Sequence, residues 1–194
     1  GNIKSVAGFI FGGTYKDFGD LNGGRHVGLQ EKTGYTEWDG DFKMEIYINP
    51  KSRVVLAHQR VHQDDAWRTH KTIYGISWAG TTVGKEKKRV LDQKRNLTYI
   101  QYHARDISHF FKSIKASLSY HVQKEEQFRV KKDYKSDIQG FDVDTIGFWV
   151  QAETPTKLGD FTYGIEFYHD MVDSFKTKYN PDGTLKSIEI QGPV

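Results

Sequence analysis

Hydrophobic and polar residues alternate strictly along several stretches of this chain. In residues 114–123 every even position is apolar or aromatic, and every odd position is polar. A period of two is expected of a β-strand with one apolar and one polar face. The pattern predicts seven strands of about 11 to 17 residues, longer than the five or six typical of soluble proteins. They are Ile3–Tyr15, Gly34–Ile48, Arg53–Gln63, Leu91–Ala104, Lys112–Phe128, Gly140–Glu153 and Asp160–Asp173, and residues 186–191 look like the beginning of another strand.

The predicted connections are long and short in turn. In chain order they measure about 17, 4, 27, 7, 11 and 6 residues. Transmembrane β-barrels have short turns on one side of the membrane and long loops on the other. We therefore expect an all-β protein, an antiparallel meander of about seven long strands that forms an open segment of a transmembrane β-barrel. Seven strands and an unfinished eighth predict that residues 1–194 are a fragment of one barrel domain.

Most predicted strands have one clearly apolar face. The sixth carries Ile146, Phe148, Val150 and Ala152 on one side and Trp149 on the other. The apolar face of the third strand is ambiguous, because apolar residues occur at both odd and even positions. Our interpretation there turns Val55, Ala57 and Val61 toward lipid and the polar residues inward, namely His58, Arg60, His62 and Asp64.

The composition of the chain excludes several classes of protein. The hydrophobic fraction is 37% and mean hydropathy is −0.68. No apolar run approaches about 18 residues, which excludes a helical membrane protein but not a barrel, whose strands have a polar side. The net charge of +3 is small and the basic residues are scattered, so a nucleic-acid partner is not expected. The absence of cysteine excludes disulfides, thiolate metal sites and a cysteine nucleophile.

Four segments carry a resemblance to a known family. They are residues 15–21, residues 33–35, residues 58–69 and residues 164–170. The arrangement resembles part of the barrel of a TonB-dependent outer-membrane receptor, one of the 22-stranded transporters of Gram-negative bacteria. The resemblance implies a parent protein in the bacterial outer membrane that takes up a scarce ligand, such as a siderophore–iron complex, a cobalamin or a glycan.

The resemblance also implies which partners to expect. The family's plug domain, TonB box and closing strand have no counterpart in the sequence, so contact with the TonB complex is expected only through a plug that is missing here. Outer-membrane lipid is an expected partner. Lipopolysaccharide phosphates are a candidate partner of one basic cluster, and a solvated loop is the alternative for it: Lys85, Lys87, Lys88 and Arg89.

A candidate ligand-binding site lies where the third strand enters the longest loop. Its residues, expected to line an extracellular vestibule, are Asp64, Asp65, Trp67, Arg68 and His70. Trp67 could stack on a ligand, and Arg68 could bind a carboxylate or phosphate. In the alternative, the acidic residues pair with Arg68 and stiffen the loop base, while Trp67 lies in an interfacial aromatic girdle.

Catalytic and metal sites are not expected. His58 and His62 would lie about 13 Å apart on a strand, too far for one metal ion. No set of nucleophile, base and acid stands out, so we predict no enzymatic activity and no cofactor. The alternative function is a soluble antiparallel β-sandwich or small barrel that binds a ligand. A sandwich would pack Leu118, Ile146 and Phe148 between two sheets, whereas a membrane wall would turn them outward.

Overall fold

The computed structural model describes residues 2–3 and 6–192. It contains β-strands and one 3-10 turn, Thr69–Lys71, and no helix of the described chain has the length and hydropathy of a membrane span. The strands are β1 (Asn2–Ile3), β2 (Ala7–Phe18), β3 (Leu21–Asn22), β4 (Leu29–Gln30), β5 (Tyr35–Asn49), β6 (Ser52–Trp67), β7 (Lys88–Arg105), β8 (Ser113–Val130), β9 (Ser136–Thr156), β10 (Gly159–Tyr179) and β11 (Leu185–Gln191).

One sheet contains every strand except β3 and β4, which form a separate small hairpin. The order in the sheet is the order in the chain, and each pairing is antiparallel. The sheet is open: residues 10–18 of β2 pair only with β5, and residues 159–173 of β10 pair only with β9. The predicted all-β fold, an open antiparallel meander with about seven long strands, is confirmed.

Several strands run further than the alternation predicts. β9 and β10 each contain 21 residues, and most of the predicted loop over residues 129–139 is paired as strand. Arg129 lies opposite Asp137 at this hairpin end and forms an ion pair with it. Opposite charges on facing residues stabilise an antiparallel pair without any apolar pattern, which is why the pattern alone missed them.

The predicted alternation of long and short connections holds only in part. The connections 19–34 and 68–87 are long, and residues 50–51 form a tight turn between them. Beyond β7 the alternation is wrong, because the connection over residues 131–135 is shorter than the one before it, over residues 106–112. After the seventh predicted strand, residues 174–179 continue β10, and a tight turn over residues 180–184 joins it to β11.

The two ends of the sheet also differ in detail from the prediction. The first long strand begins at Ala7, and Ile3 pairs back onto it as part of β1. Residues 4 and 5, which the predicted first strand included, lie outside the described residues. At the other end, β11 confirms that residues 186–191 form a strand, and it pairs with residues 174–179 of β10.

The register places apolar residues of seven strands side by side. One row across the sheet consists of Phe9, Met44, Leu56, Ile100, Leu118, Phe148 and Phe167. Leu56 therefore shares a face with Leu118, and its neighbour Val55 lies on the opposite face between Glu45 and Gln101. The predicted assignment of β6 is wrong: Val55, Ala57 and Val61 share the polar face, and His58, Arg60 and His62 share the apolar one.

Candidate functional site

The face that carries this row is the apolar face of the sheet. The next row toward the turn at residues 50–51 consists of Ala7, Ile46, Val54, Tyr102, Ala116, Val150 and Ile165. On β8 apolar side chains continue on this face from Ile114 to Val122. The eight residue-to-residue steps from Ile114 to Val122, at about 3.4 Å each, make an apolar band about 27 Å long in the strand direction.

The side chains of the apolar face are uncovered. Leu118 is 52% exposed, Ile146 is 42% exposed and Phe148 is 41% exposed. Extensive contacts between strands of the described chain run only between neighbours in one sheet, so no second layer packs over these residues. A contiguous apolar surface of this extent is rare on soluble monomers and marks a surface that another apolar phase or a partner covers.

Aromatic side chains mark opposite corners of the apolar face. On the apolar face of β2 and β5 the aromatic residues nearest the long connections are Tyr15 and Trp38, which lie opposite each other. On β10 the aromatic residues begin with Phe161 and Tyr163, beside the turn at residues 157–158. The apolar band thus drifts along the strands as it crosses the sheet. Such a drift is expected where strands are tilted relative to the band, as they are in a barrel wall.

The opposite face, the polar face, carries hydrogen-bonded polar ladders. Lys16 forms ion pairs with Glu37 and Asp39, and the Gln63 side chain also donates to Glu37. Further pairs on this face are Gln93 donating to Glu125 at 2.6 Å, Arg95 donating to His121 at 3.0 Å and Thr145 donating to Asp170 at 2.6 Å.

Side chains near the middle of β6 and β8 are more enclosed on the polar face than on the apolar face. Val55, Ala57 and Ser117 lie on the polar face and are buried, whereas Leu118 on the apolar face is 52% exposed. Burial also occurs on the apolar face, where Ala152 of β9 is enclosed.

The two predicted acidic site residues occupy a strand irregularity. Asp64 lies on β6 with its Oδ1 2.9 Å from His62 Nε2. Asp65 has a positive φ of 55° at the point where the register of β6 against β7 shifts. Its backbone N–H donates to Asp92 Oδ1 at 2.9 Å. This bulge separates the two carboxylates and turns β6 toward its long connection.

Trp67 lies on the apolar side of the sheet after this bulge, opposite Val90. Its ring meets the ring of Tyr74 edge-on, with centroids 5.7 Å apart. Lys32 Nζ lies 5.6 Å and Lys88 Nζ 5.8 Å from the ring centroid. Two ammonium groups at these distances favour a cation–π contact, which ties the two long connections to the end of β6.

The remaining predicted site residues do not converge with the others on one cavity. Arg68 is exposed and its backbone N–H donates to Arg89 O at 2.9 Å. His70 lies in the 3-10 turn and is also exposed. Five clefts of about 190 to 510 Å³ along the sheet are lined by other residues. A ligand-binding role for residues 64–70 therefore stays a prediction.

The basic cluster of the sequence is divided among several partners. Arg89 donates to Glu86 through Nε at 2.7 Å and through Nη2 at 2.8 Å. Lys87 Nζ lies 3.1 Å from the centroid of the Tyr134 ring. Lys88 faces Trp67 and Phe128, and Lys85 is exposed. These contacts make most of the cluster part of the loop packing and leave only one of its four cations open to solvent.

A buried ion-pair network that the sequence analysis missed holds the end of the β8–β9 hairpin. The Asp137 side chain is fully enclosed and accepts hydrogen bonds from Arg129 Nε at 3.1 Å and Nη2 at 2.7 Å. Arg129 Nη1 lies 3.6 Å from Glu86 of the long connection. The available signal was the symmetric position of Arg129 and Asp137 around a short polar segment, which predicts a hairpin with facing charges.

No group of three or more potential metal ligands occurs in the described chain. His58 Nδ1 lies 2.9 Å from Thr98 Oγ1 on the next strand, so its partner is a hydroxyl group. In comparisons with family models, with curated proteins and with solved structures, nothing matched this chain. The two faces of the sheet are therefore the features that bear on the function of this chain.

Proposed function

We propose that the chain is part of the wall of a β-barrel in the bacterial outer membrane, with its apolar face toward lipid and its polar face toward the lumen. The observation that carries this proposal is the apolar row that runs in register across seven strands and is uncovered. An outer-membrane barrel presents an apolar band about 25 Å tall, rimmed by aromatic residues. The band on β8, the aromatic corners and the hydrogen-bonded polar face all support it.

The open edges of the sheet support a larger wall. Residues 10–18 of β2 and residues 159–173 of β10 have no neighbour on one side among the described strands. Unpaired backbone groups cost several kcal/mol each in hydrocarbon, so only a closed sheet is stable there. The proposal therefore includes further strands, supplied by the rest of a barrel domain of which residues 1–194 are a fragment.

Transport is the activity that this wall would serve. The proposal extends to a TonB-dependent receptor that takes up a scarce ligand such as a siderophore–iron complex, a cobalamin or a glycan. The long connections 19–34 and 68–87 leave the same end of the sheet and support an extracellular vestibule there. Asp64, Trp67 and Arg68 lie at its entrance and remain the proposed ligand contacts.

The soluble alternative fits the geometry less well. A ligand-binding sandwich encloses its apolar face between two sheets about 10 Å apart. In the described chain Leu118, Ile146 and Phe148 instead point away from a single sheet and are between 41% and 52% exposed. A soluble protein with this face would need a partner to cover it.

The absence of cysteine permits a direct test of the two faces. Leu118→Cys and Ser119→Cys put single thiols on adjacent residues of β8, at one depth but on opposite faces. Each variant is labelled with an environment-sensitive fluorophore and refolded into phosphatidylcholine vesicles at a high ratio of protein to lipid, so that the open edges of neighbouring chains can pair and close the sheet. We expect the label at residue 118 to be quenched by lipids with spin-labelled acyl chains, and the label at residue 119 to be quenched by aqueous iodide.

Two outcomes contradict the proposal. If both labels are quenched by iodide and neither by the lipid quencher, the sheet does not enter the bilayer. If the two labels have the same lipid access, the faces are not divided between lipid and lumen. Circular dichroism of both labelled variants provides the control that strand content is retained.

A further inference from the structure

A cleft of about 260 Å³ lies at the short-turn end of the sheet. Five basic residues line it, and no aspartate or glutamate is among its described lining residues: Lys51, Arg53, His103, Arg105 and Lys115. The chain as a whole is nearly balanced, with 28 lysine and arginine residues against 25 aspartate and glutamate residues. A cleft whose charged lining residues are all basic is therefore a local departure from that balance.

Three of these side chains form a ladder on the polar face. Arg53 lies directly opposite His103, and His103 lies directly opposite Lys115. Facing residues on neighbouring strands have Cβ atoms about 4.5–5.5 Å apart, so the two cations Arg53 and Lys115 lie about 10 Å apart on one face with the imidazole of His103 between them. The arrangement therefore favours a bound counter-ion.

One acidic group reaches the ladder and is shared between two cations. Glu45 forms an ion pair with Arg53 Nη1 at 3.9 Å and a shorter one with Lys43 at 3.1 Å, so it only partly balances the charge of Arg53. Lys51 and Arg105 donate to backbone carbonyl groups, which carry no net charge. Arg53 Nε is enclosed and lacks a hydrogen-bond partner in the described structure, which leaves an unmet donor beside the cleft.

We infer that this cleft binds a small oxyanion, either inorganic phosphate or the phosphate group of a phosphomonoester. The guanidinium of Arg53 offers the planar donor fork that phosphate oxygens accept, and Lys115 adds a compact charge across the ladder. The volume suits one such group, since it lies below the roughly 300–1,000 Å³ of clefts that hold drug-sized ligands. The inference rests on the cleft alone and holds whether or not the apolar face lies in lipid.

Calorimetric titration of the full chain in a non-ionic detergent, which brings no phosphate of its own, tests the inference. Sodium phosphate and methyl phosphate are titrated at an ionic strength held constant with sodium chloride, so that general screening does not change. The variants are Arg53→Gln and Lys115→Gln in the cleft. The matched control is Lys94→Gln, which removes one exposed lysine from β7 about 30 Å along the strand from His103.

We expect saturable binding that each cleft variant weakens at least tenfold and that the control leaves within twofold. Equal binding of methyl phosphate indicates a site for a phosphomonoester, and much weaker binding of it indicates a site for free phosphate. The inference is overturned if neither anion binds saturably, or if all three variants weaken binding alike, as diffuse surface charge would.

A stability measurement separates this role from a structural one. Without phosphate, Arg53→Gln is expected to leave the thermal unfolding midpoint nearly unchanged, because the ion pair with Glu45 that it removes is long and partly exposed. Phosphate is expected to raise the midpoint of the unmodified chain and to leave that of the variant unchanged. A variant that unfolds at a lower temperature and still gains stability from phosphate contradicts the inference.

Discussion

At the scale of single residues, this molecule buries a charged side chain and exposes large apolar ones. Asp137 is fully enclosed, whereas Ile165 is 70% exposed and Phe167 is 61% exposed. An enclosed carboxylate is stable only when ionic hydrogen bonds replace its hydration. The hydrogen bonds from Arg129 do so here, and the contact of Arg129 with Glu86 also connects the β8–β9 hairpin to the connection over residues 68–87.

Asp137→Asn tests whether this network holds the long connection in place. The change removes the charge that Arg129 binds, and we expect the local opening free energy to fall by about 1.5–3 kcal/mol, the range for hydrogen bonds to charged groups. Native-state hydrogen exchange of the Lys87 backbone N–H, which donates to Val130 O at 2.8 Å, measures that opening. Asp133→Asn is the matched control: its ion pair with Lys135 is exposed, and exposed pairs contribute about 0–1 kcal/mol. Equal acceleration of exchange in both variants would argue against a network role for Asp137.

At the scale of elements, the sequence predicts the apolar face of a strand well where only alternate positions are apolar. It predicts that face poorly where neighbouring positions are both apolar. On β8 and β9 the alternation identifies the apolar face correctly, and the strand cores follow from it. On β6 both Leu56 and Val55 are apolar, so the choice depends on the neighbours Met44 and Ile100, which local sequence does not reveal. Beyond the apolar band the strands are extended by facing charged residues. An alternation of apolar and polar positions does not predict such extensions.

The β3–β4 hairpin depends on one carboxylate at its base. Asp20 Oδ1 accepts hydrogen bonds from the backbone N–H groups of Thr33 at 2.8 Å and Gly34 at 3.0 Å. The Gly34 and Thr33 amides favour the ionised form and lower the pKa of Asp20 below its ordinary 3.8. The stabilisation is thus fully present above pH 3.8 and is lost as the pH falls through the lowered pKa.

Acid titration followed by NMR is expected to show this dependence in the amide shifts of Thr33 and Gly34. Both shifts should move with a common midpoint below 3.8 as the hairpin base opens. Asp20→Asn provides the control, because its amide oxygen can still accept the two bonds but does not titrate in this range. A midpoint at or above 3.8 in the unmodified chain, or the same titration in the variant, would contradict the assignment.

At the scale of the whole molecule, the phosphate cleft marks the limit of what the sequence could predict. Arg53, His103 and Lys115 come from three strands and share no motif. The short connection between β7 and β8 makes His103 and Lys115 neighbours, so part of the ladder follows from that hairpin's register. The contact of Arg53 with His103 requires the pairing of β6 with β7, which are separated by the connection over residues 68–87. Only the folded sheet shows this pairing.

The open edges of the sheet lead to a prediction for the molecule as a whole. β8 is paired along its full length with both β7 and β9, whereas residues 159–173 of β10 are paired only with β9. At low concentration in a non-ionic detergent, alternate amides of residues 159–173 should exchange nearly as fast as in an unfolded chain, while those of β8 stay protected. As concentration rises, exposed edges are expected to pair with each other, so protection should appear together in residues 159–173 and in residues 10–18 of β2. Full protection of the β10 edge at the lowest concentration would mean that the sheet is already closed within one chain, and the proposal of a wall completed by further strands would then be wrong.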